Sequence, residues 1–284
     1  MLVLFPSDYF NNKSVEPDYS IEYDAVCQLP EFKIVLYNYD GFVAGEPVKE
    51  YPKDYYSGLC IYRGWMLAPA KYQELYEVFQ KKRITLINTQ DEYNACHLFP
   101  NVYDLIEADT AKCLFFKSID DVNWELINST FSEFIIKDYV KSVKGEKFPL
   151  SFKTPVVKKN MDTYMTEFME LRGKLYTGGI VIKEYVNLKR YGETTNEYRA
   201  FFINGQLLSL CRNSNQHDRS NKVPIEFVYS FNNLPSNYYT VDFGELDDGS
   251  WIVIEVGDGQ VSGLSPSQNA FKFYEDILRI LLQE

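Results

Sequence analysis

Charged residues stand along this chain at spacings that suit phosphate and metal chemistry. Lys137 and Lys141 flank the end of FIIKDYVKS, an even number of residues apart, so a straight strand turns both ammonium groups to one face. Solvated lysines on an exposed strand are the plain alternative. Late in the chain Asp242 ends YYTVD, and WIVIEVGDG presents Glu255, with Asp258 three positions on between Gly257 and Gly259. Carboxylates at the ends of buried strands are costly unless they are paired or bind metal. Magnesium takes oxygen ligands, one or two carboxylates together with substrate phosphates and water, so Asp242, Glu255 and Asp258 form a candidate metal set. A hairpin end with surface acids is the alternative. Between these groups, IVIKEYV has the form of a segment whose backbone pairs with an adenine edge, with Lys183 and Glu184 at a hinge. NEYRAFFING sets Glu197 and Arg199 two apart, on one face of a strand, as an ion pair or as partners sharing a ligand. Arginine suits bidentate phosphate contact, and a structural cross-strand salt bridge is the alternative. Cations early and acids late are what a nucleotide clamp needs.

The elements that must position these groups fall into two patterns. Up to about residue 110 strands alternate with helices: MLVLFP, a helix around Ile21 to Leu29, a strand from Phe32 to Tyr37, and an apolar run from Gly58 to Ile61. A helix follows with Tyr72, Leu75, Tyr76 and Phe79 at i, i+3, i+4, i+7 spacing, then the strand ITLIN. Thr89 with Glu92 makes a capping-box pattern that opens a helix running to His97. From Ala111 onward the chain is a series of strands rich in β-branched and aromatic residues, with hairpin turns at Asn204–Gly205 and Asp247–Gly249. A Lys-rich loop, KGEKFPLSFKTP, suits a phosphate-covering flap. Helices are expected from Met161 to Arg172 and from Asn269 to Leu282. These patterns predict an α/β (α+β) chain, with an α/β lobe over 1–110 and a mostly antiparallel lobe over 111–284, divided near 184 into central (111–184) and C-terminal (185–284) parts.

Composition limits the partners. With 29 basic and 40 acidic residues the formal net charge is -11, which disfavours nucleic acid and anionic membrane surfaces. Five cysteines are scattered without a CxxC pair and only two histidines are present, so a structural zinc site is not expected and the thiols read as reduced. No stretch approaches the ~20 apolar residues of a membrane span, and MLVLFPSDYF lacks a basic leader. A soluble, unprocessed, cytoplasmic protein is the expectation.

In series, FIIKDYVKS, GGIVIKEYVNL, NEYRAFFINGQLLSL, YYTVDFGEL and WIVIEVGDGQVSGL resemble the ATP-binding half of ATP-grasp proteins, specifically the clade named for one arginine and two lysines, family three. LFPSDYFNNKSVEPDY, YRGWML and INTQDEYNACHLFPNVY resemble the pre-grasp lobe of the same clade. The resemblance implies an ATP-grasp fold, ATP and Mg2+ as cofactors, and a ligase that activates a carboxylate as an acyl phosphate for attack by an amine or thiol, on a small molecule, peptide or protein. It implies Lys137 as an α- or β-phosphate contact, Lys183, Glu184 and Tyr185 as the adenine hinge, and Glu197 in the nucleotide site. Arg199 becomes a phosphate or acyl-phosphate contact, with Lys141 a further catalytic cation. Asp242, Glu255 and Asp258 become the metal carboxylates, and Arg63 of YRGWML faces the acceptor or γ-phosphate. The sequence departs from the family in one place: Gly257 stands where many members carry a metal-binding Asn, with an acid one position later. The alternative is an ATP-binding assembly chaperone or interaction module without turnover.

Overall fold

A computed structural model describes residues 1–53, 57–143, 148–216 and 218–282. The first part of the chain forms a five-stranded sheet in the order Glu50–Tyr51, Lys33–Tyr37, Leu2–Pro6, Gly58–Tyr62, Ile84–Leu86. All pairings but the first are parallel. Leu2–Pro6 lies in the middle and is buried along its whole length, which explains why it reads as a continuous apolar run rather than an alternating one. The expected amphipathic helix spans Pro69–Gln80 and buries Tyr72, Leu75 and Phe79. The Thr89 capping box forms as the spacing predicts: the Thr89 hydroxyl accepts the Glu92 amide while the Glu92 carboxylate accepts the Thr89 amide, opening the helix Gln90–His97.

Two four-stranded antiparallel sheets follow. One runs Cys113–Phe116, Ile180–Glu184, Glu133–Asp138, Phe152–Lys153. Alternation turns Phe134, Ile136, Ile180 and Ile182 into a core beneath the helices Trp124–Thr130 and Lys158–Arg172. Ile135, Lys137 and Lys183 are thereby left for the opposite face. The other sheet runs Gln206–Arg212, Glu197–Ile203, Tyr238–Glu245, Trp251–Asp258. Its first hairpin turns on Asn204 and Gly205, both with positive φ (47° and 73°), the conformation that an Asn-Gly pair supplies.

The two faces of this last sheet divide its residues. On one, Tyr198, Ala200, Phe202, Tyr239, Val241, Phe243 and Val256 pack against the helix Phe99–Ile106, an element the sequence patterns did not reveal. On the other, Phe201, Ile203 and Tyr238 join Val3 and Phe5 of the parallel sheet and Phe273 and Ile277 of the helix Ala270–Leu281. That second core ends halfway along the strands, and Arg199, Glu197, Thr240 and Asp242 on the same face line a cleft instead. Mixed α/β with a parallel lobe and antiparallel sheets is the fold class expected. No helix among the described residues is long and apolar enough to cross a membrane.

Candidate functional site

The cleft lies between the two antiparallel sheets and encloses about 490 Å³, within the range of small-molecule sites. It is lined by Lys137, Lys141, Lys183, Glu184, Tyr185, Glu197, Arg199, Asp242, Glu255 and Asp258, so ten of the eleven residues singled out from the sequence reach one cavity, at least in part.

Its electrostatic centre is a pair of carboxylates. Asp242 and Glu255 are register partners on neighbouring strands, and the register slips immediately after them, so that Phe243 faces Val253 and Ile254 is left over. Bulges of this kind re-aim groups beside functional sites. Here the bulged Ile254 offers its carbonyl to the Lys183 ammonium at 2.6 Å. Arg199, across from Asp242 on the adjoining strand, closes a two-pronged bond on it, Nε and Nη2 each 2.7 Å from a carboxylate oxygen, and donates Nη1 to the Gly263 carbonyl at 2.8 Å. Lys137 donates to Glu255 at 3.0 Å. Burial alone would raise the Glu255 carboxyl, but Lys137, with Lys183 and Arg199 behind it, holds it below its ordinary value. Lys183 is pushed down to about 8, first by burial and then by the Lys137 charge. The Phe99 ring lies under both lysines, 4.7 Å from the Lys183 ammonium and 5.3 Å from that of Lys137. Phe99 was missed because a lone Phe before Pro100 carries no chemical signal; its one clue is that proline is welcome in a first helical turn.

Several expectations need correction. Lys137 and Lys141 do not share a straight strand: the strand ends at Asp138, whose carboxylate accepts the amides of Val140 and Lys141, and the chain folds back so that Ser142 bridges to Lys137. Lys141 reaches the cleft through this turn. Glu197 and Arg199 do share a face, yet Arg199 pairs with Asp242, while Glu197 accepts from the Thr195 hydroxyl. The amides of Glu184 and Tyr185 are already donated to the carbonyls of Lys112 and Glu133, so only the remaining groups of that segment are open to an adenine edge. The flap expectation falls partly on residues 144–147, outside the described residues.

Asp258 does not join the other two acids. An odd spacing from Glu255 puts it on the opposite face, facing Tyr239, where its carboxylate accepts from Asn88 at 2.5 Å and from the amide and side chain of Gln260. Among the described residues no three His, Cys, Asp or Glu gather as a metal cluster. The donors that fit magnesium are therefore Asp242 and Glu255, hard oxygen ligands side by side on the cleft face, a number sufficient for an ion that also uses phosphate oxygens and water. At Gly257 an added Cβ would stand 3.1 Å from both the Thr240 and Ser262 hydroxyls, which are bonded to each other at 2.9 Å. These two hydroxyls, silent in the sequence, crowd the place where a side chain at 257 would project.

Arg63 lies outside the cleft. It is 1% exposed, with Nε and Nη2 on Glu22 and Nη1 on the carbonyls of Gly259, Gln260 and Ser262. Tyr274 donates to the same Glu22 at 2.6 Å. A guanidinium so committed does not face an acceptor or a γ-phosphate; it ties the loop after Asp258 to the parallel lobe, and that loop ends at the Gly263 carbonyl that receives Arg199. His97 is buried at the edge of the cleft and stacked on Tyr93 at 4.5 Å; burial, then Lys141, pushes it down to about 3, so it is neutral in ordinary buffers.

Residues 122–277 match a family model described as an ATP-grasp domain, family 3 of the clade named for one arginine and two lysines. No curated protein sequence matches the chain. Among solved structures the chain is similar to a D-alanine–D-alanine ligase from Bacillus anthracis complexed with ATP (14% identity, 99% of this chain and 97% of that chain covered, TM-score 0.60). It is also similar to a RimK domain ATP-grasp protein from Sphaerobacter thermophilus (12%, 99% and 100%, 0.62). A third is the macrocyclase MdnC bound with precursor peptide MdnA from Microcystis aeruginosa (13%, 100% and 100%, 0.54). At these identities the likeness shows a shared fold.

Proposed function

The chain belongs to the ATP-grasp domain family, in family 3 of the clade named for one arginine and two lysines, and from that premise we propose that it is an ATP- and Mg2+-dependent ligase that activates a carboxylate for attack by an amine or thiol. The observation that carries the reading is the convergence of one arginine and two lysines, Arg199, Lys137 and Lys183, on the adjacent pair Asp242 and Glu255 in a cleft of nucleotide size. Lys141 stands apart from that trio, on the turn beyond Asp138.

In the reading, residues 1–110 form a pre-grasp lobe, 111–184 a central part and 185–284 a C-terminal part, with the nucleotide between the last two. The base lies along Lys183 to Tyr185 and the phosphates run toward Lys137 and Lys141. Asp242 and Glu255 would hold the metal, which would supply charge to neutralise the phosphates. Loading requires their present partners to let go: Lys137 and Arg199, released from the carboxylates, turn to the phosphates, so the ion pairs of the ligand-free site keep these side chains positioned in advance. An oxygen of the substrate carboxylate attacks the γ-phosphorus, the bond to the β-phosphate oxygen breaks, and ADP departs with the bonding pair. The amine or thiol then attacks the acyl carbon, phosphate leaves, and the proton of the nucleophile passes to water. Catalysis is positioning and charge neutralisation. A nucleotide-rich cytoplasm is the proposed setting.

Thermal unfolding with and without Mg-ATP tests the site. A ligand that binds only the folded state adds RT ln(1 + [L]/Kd), about 2.7 kcal/mol at a hundredfold excess. A magnesium-dependent rise in Tm is expected, together with ADP release that a carboxylate and an amine stimulate. No shift at millimolar Mg-ATP would sink the reading; a shift with no stimulation by any acid and amine would leave a nucleotide-binding module.

A further inference from the structure

Beyond the cleft the fold forms a second, partly open pocket of about 80 Å³. Met66, His97 and Val140 line both spaces, so the two meet at a partition. The position is telling. On the strand Glu133–Asp138, Phe134 pairs with Glu184 of the hinge and Asp138 with Ile180, so Val140 lies at the end remote from the hinge. In the ligase reading that is the γ-phosphate end. One wall comes from the parallel lobe through Tyr39, Val43 and Leu67, the other from Leu175 and Thr177, just past the helix Lys158–Arg172.

The chemistry of the walls is mainly apolar. Val43 and Leu175 remain 45% and 60% exposed, apolar side chains left uncovered beside a hollow. The lobe-side wall is braced: the Tyr39 hydroxyl donates to the Met66 carbonyl at 2.9 Å and its ring meets Trp65 edge-on at 5.0 Å. The Arg172 guanidinium, although it reaches the lining, is spent on Asp138 and the Leu175 carbonyl. Lys71 and Lys174 also contribute to the lining and give it a positive fringe. The partition itself carries no charge, because His97 is neutral there. An apolar group can pass it, while a carboxylate that stays on the cleft side meets the face that Lys141 lines.

We propose that this cavity is an acceptor pocket that takes the aliphatic chain of a small carboxylic acid, with the carboxylate directed past the partition into the cleft. The proposal rests on the ligase reading and narrows its substrate from any carboxylate to a compact aliphatic one. Since one water needs about 10–15 Å³ of such space, the pocket can bury a branched chain of a few carbons and is too small to bury an aryl group or an extended peptide.

The test uses the full chain with Mg-ATP and hydroxylamine, which traps an activated acyl group as a hydroxamate while ADP is released. Butyrate and isovalerate are expected to stimulate both signals, whereas phenylpropionate and a tripeptide are not. Val43→Phe, which fills the hollow from a half-exposed position, is expected to lower acid-stimulated hydroxamate at least tenfold while the Mg-ATP shift in Tm stays. Leu175→Ala is expected to admit phenylpropionate. Undiminished stimulation in Val43→Phe, activation of the tripeptide alone, or no stimulation by any acid in a protein that shows the Mg-ATP shift would each overturn the pocket. Loss of the shift in the wild-type protein would remove the ligase reading itself, and the pocket's role with it.

Discussion

Glu255 and Asp258 stand three residues apart on one strand, and their surroundings pull them in opposite directions. Glu255 faces the cleft with its side chain 35% exposed, bonded to Lys137 and within reach of Lys183 and Arg199, and its carboxyl is held below the ordinary range. Asp258 turns to the other side of the sheet, fully buried, where its partners are the amides of Asn88 and Gln260, and burial pushes it up to about 7. Cations stabilise a carboxylate's charge far more than neutral amides do. The same strand therefore carries one acid prepared for cations and another that ties together the parallel lobe and the sheet. Glu245 combines the two: buried among Tyr191, Asn196 and Asn221 yet bonded to the Lys189 ammonium, it is held below its ordinary value against the burial that would raise it.

The contrast breaks most plainly in turnover. Glu255→Gln is expected to lower acid-stimulated ADP release on the order of 10²-fold, the scale of losing one preorganised charged contact, whereas Asp258→Asn is expected to change it less than about threefold. Equal losses in the two variants, measured on folded protein, would show that Asp258 shares the metal role. The pH dependence of stability sharpens the same comparison. Asp258, with a raised carboxyl, contributes stability that is present below its unfolded value of 3.8 and lost as pH rises through about 7. The unfolding free energy of the wild type relative to Asp258→Asn should thus fall by on the order of 4 kcal/mol between pH 4 and 8. Glu255, with a lowered carboxyl, contributes stability present above 4.5 and lost only as pH falls further. Wild type relative to Glu255→Gln should be nearly flat from about pH 6 to 8 and lose stability only as pH falls through 4.5, so parallel slopes for the two variants would contradict the assignment.

How much of this was legible follows from the same strand. Val253 and Val256 share one core only because the bulge at Ile254 intervenes, which WIVIEVGDG does not show; beyond the bulge, a spacing of three already placed Glu255 and Asp258 on opposite faces, and treating both as ends of one apolar run hid that parity. The Thr89 cap, the Asn204–Gly205 turn and the helix after Asn269 were readable because each depends on neighbours in sequence. Lys137, Lys183, Arg199 and Asp242 were readable as charges on strands. The partners they choose depend on register and on the bulge at Ile254, which no local pattern encodes. Arg63 failed for a related reason: an arginine in an apolar stretch looks like a site residue until the loop 259–262, almost two hundred positions away, supplies three carbonyls. The turn at Asp138 displaced Lys141 because a strand was assumed to continue where an aspartate side chain captures the next two amides.

A smaller effect extends the comparison from the acids to the cations. Lys183 shares the cleft face with Glu255, yet burial over Phe99 and the neighbouring Lys137 lower it to about 8, while its bond to the Ile254 carbonyl helps to hold it in place. A lysine whose folded value is depressed costs the folded state stability below that value, and the cost fades as pH rises from about 8 toward 10.5. Phosphate oxygens bound beside it would restore the ordinary value, so nucleotide binding takes up a proton wherever the free protein has already lost one. Mg-ATP affinity should then fall about threefold between pH 7.5 and 8.5. Calorimetric titrations in buffers of different ionisation enthalpy should show that uptake, and Lys183→Met should lose both the uptake and the slope while binding more weakly throughout. If the slope persists in Lys183→Met, the proton belongs to another group, and the lowered value of Lys183 does not govern nucleotide binding.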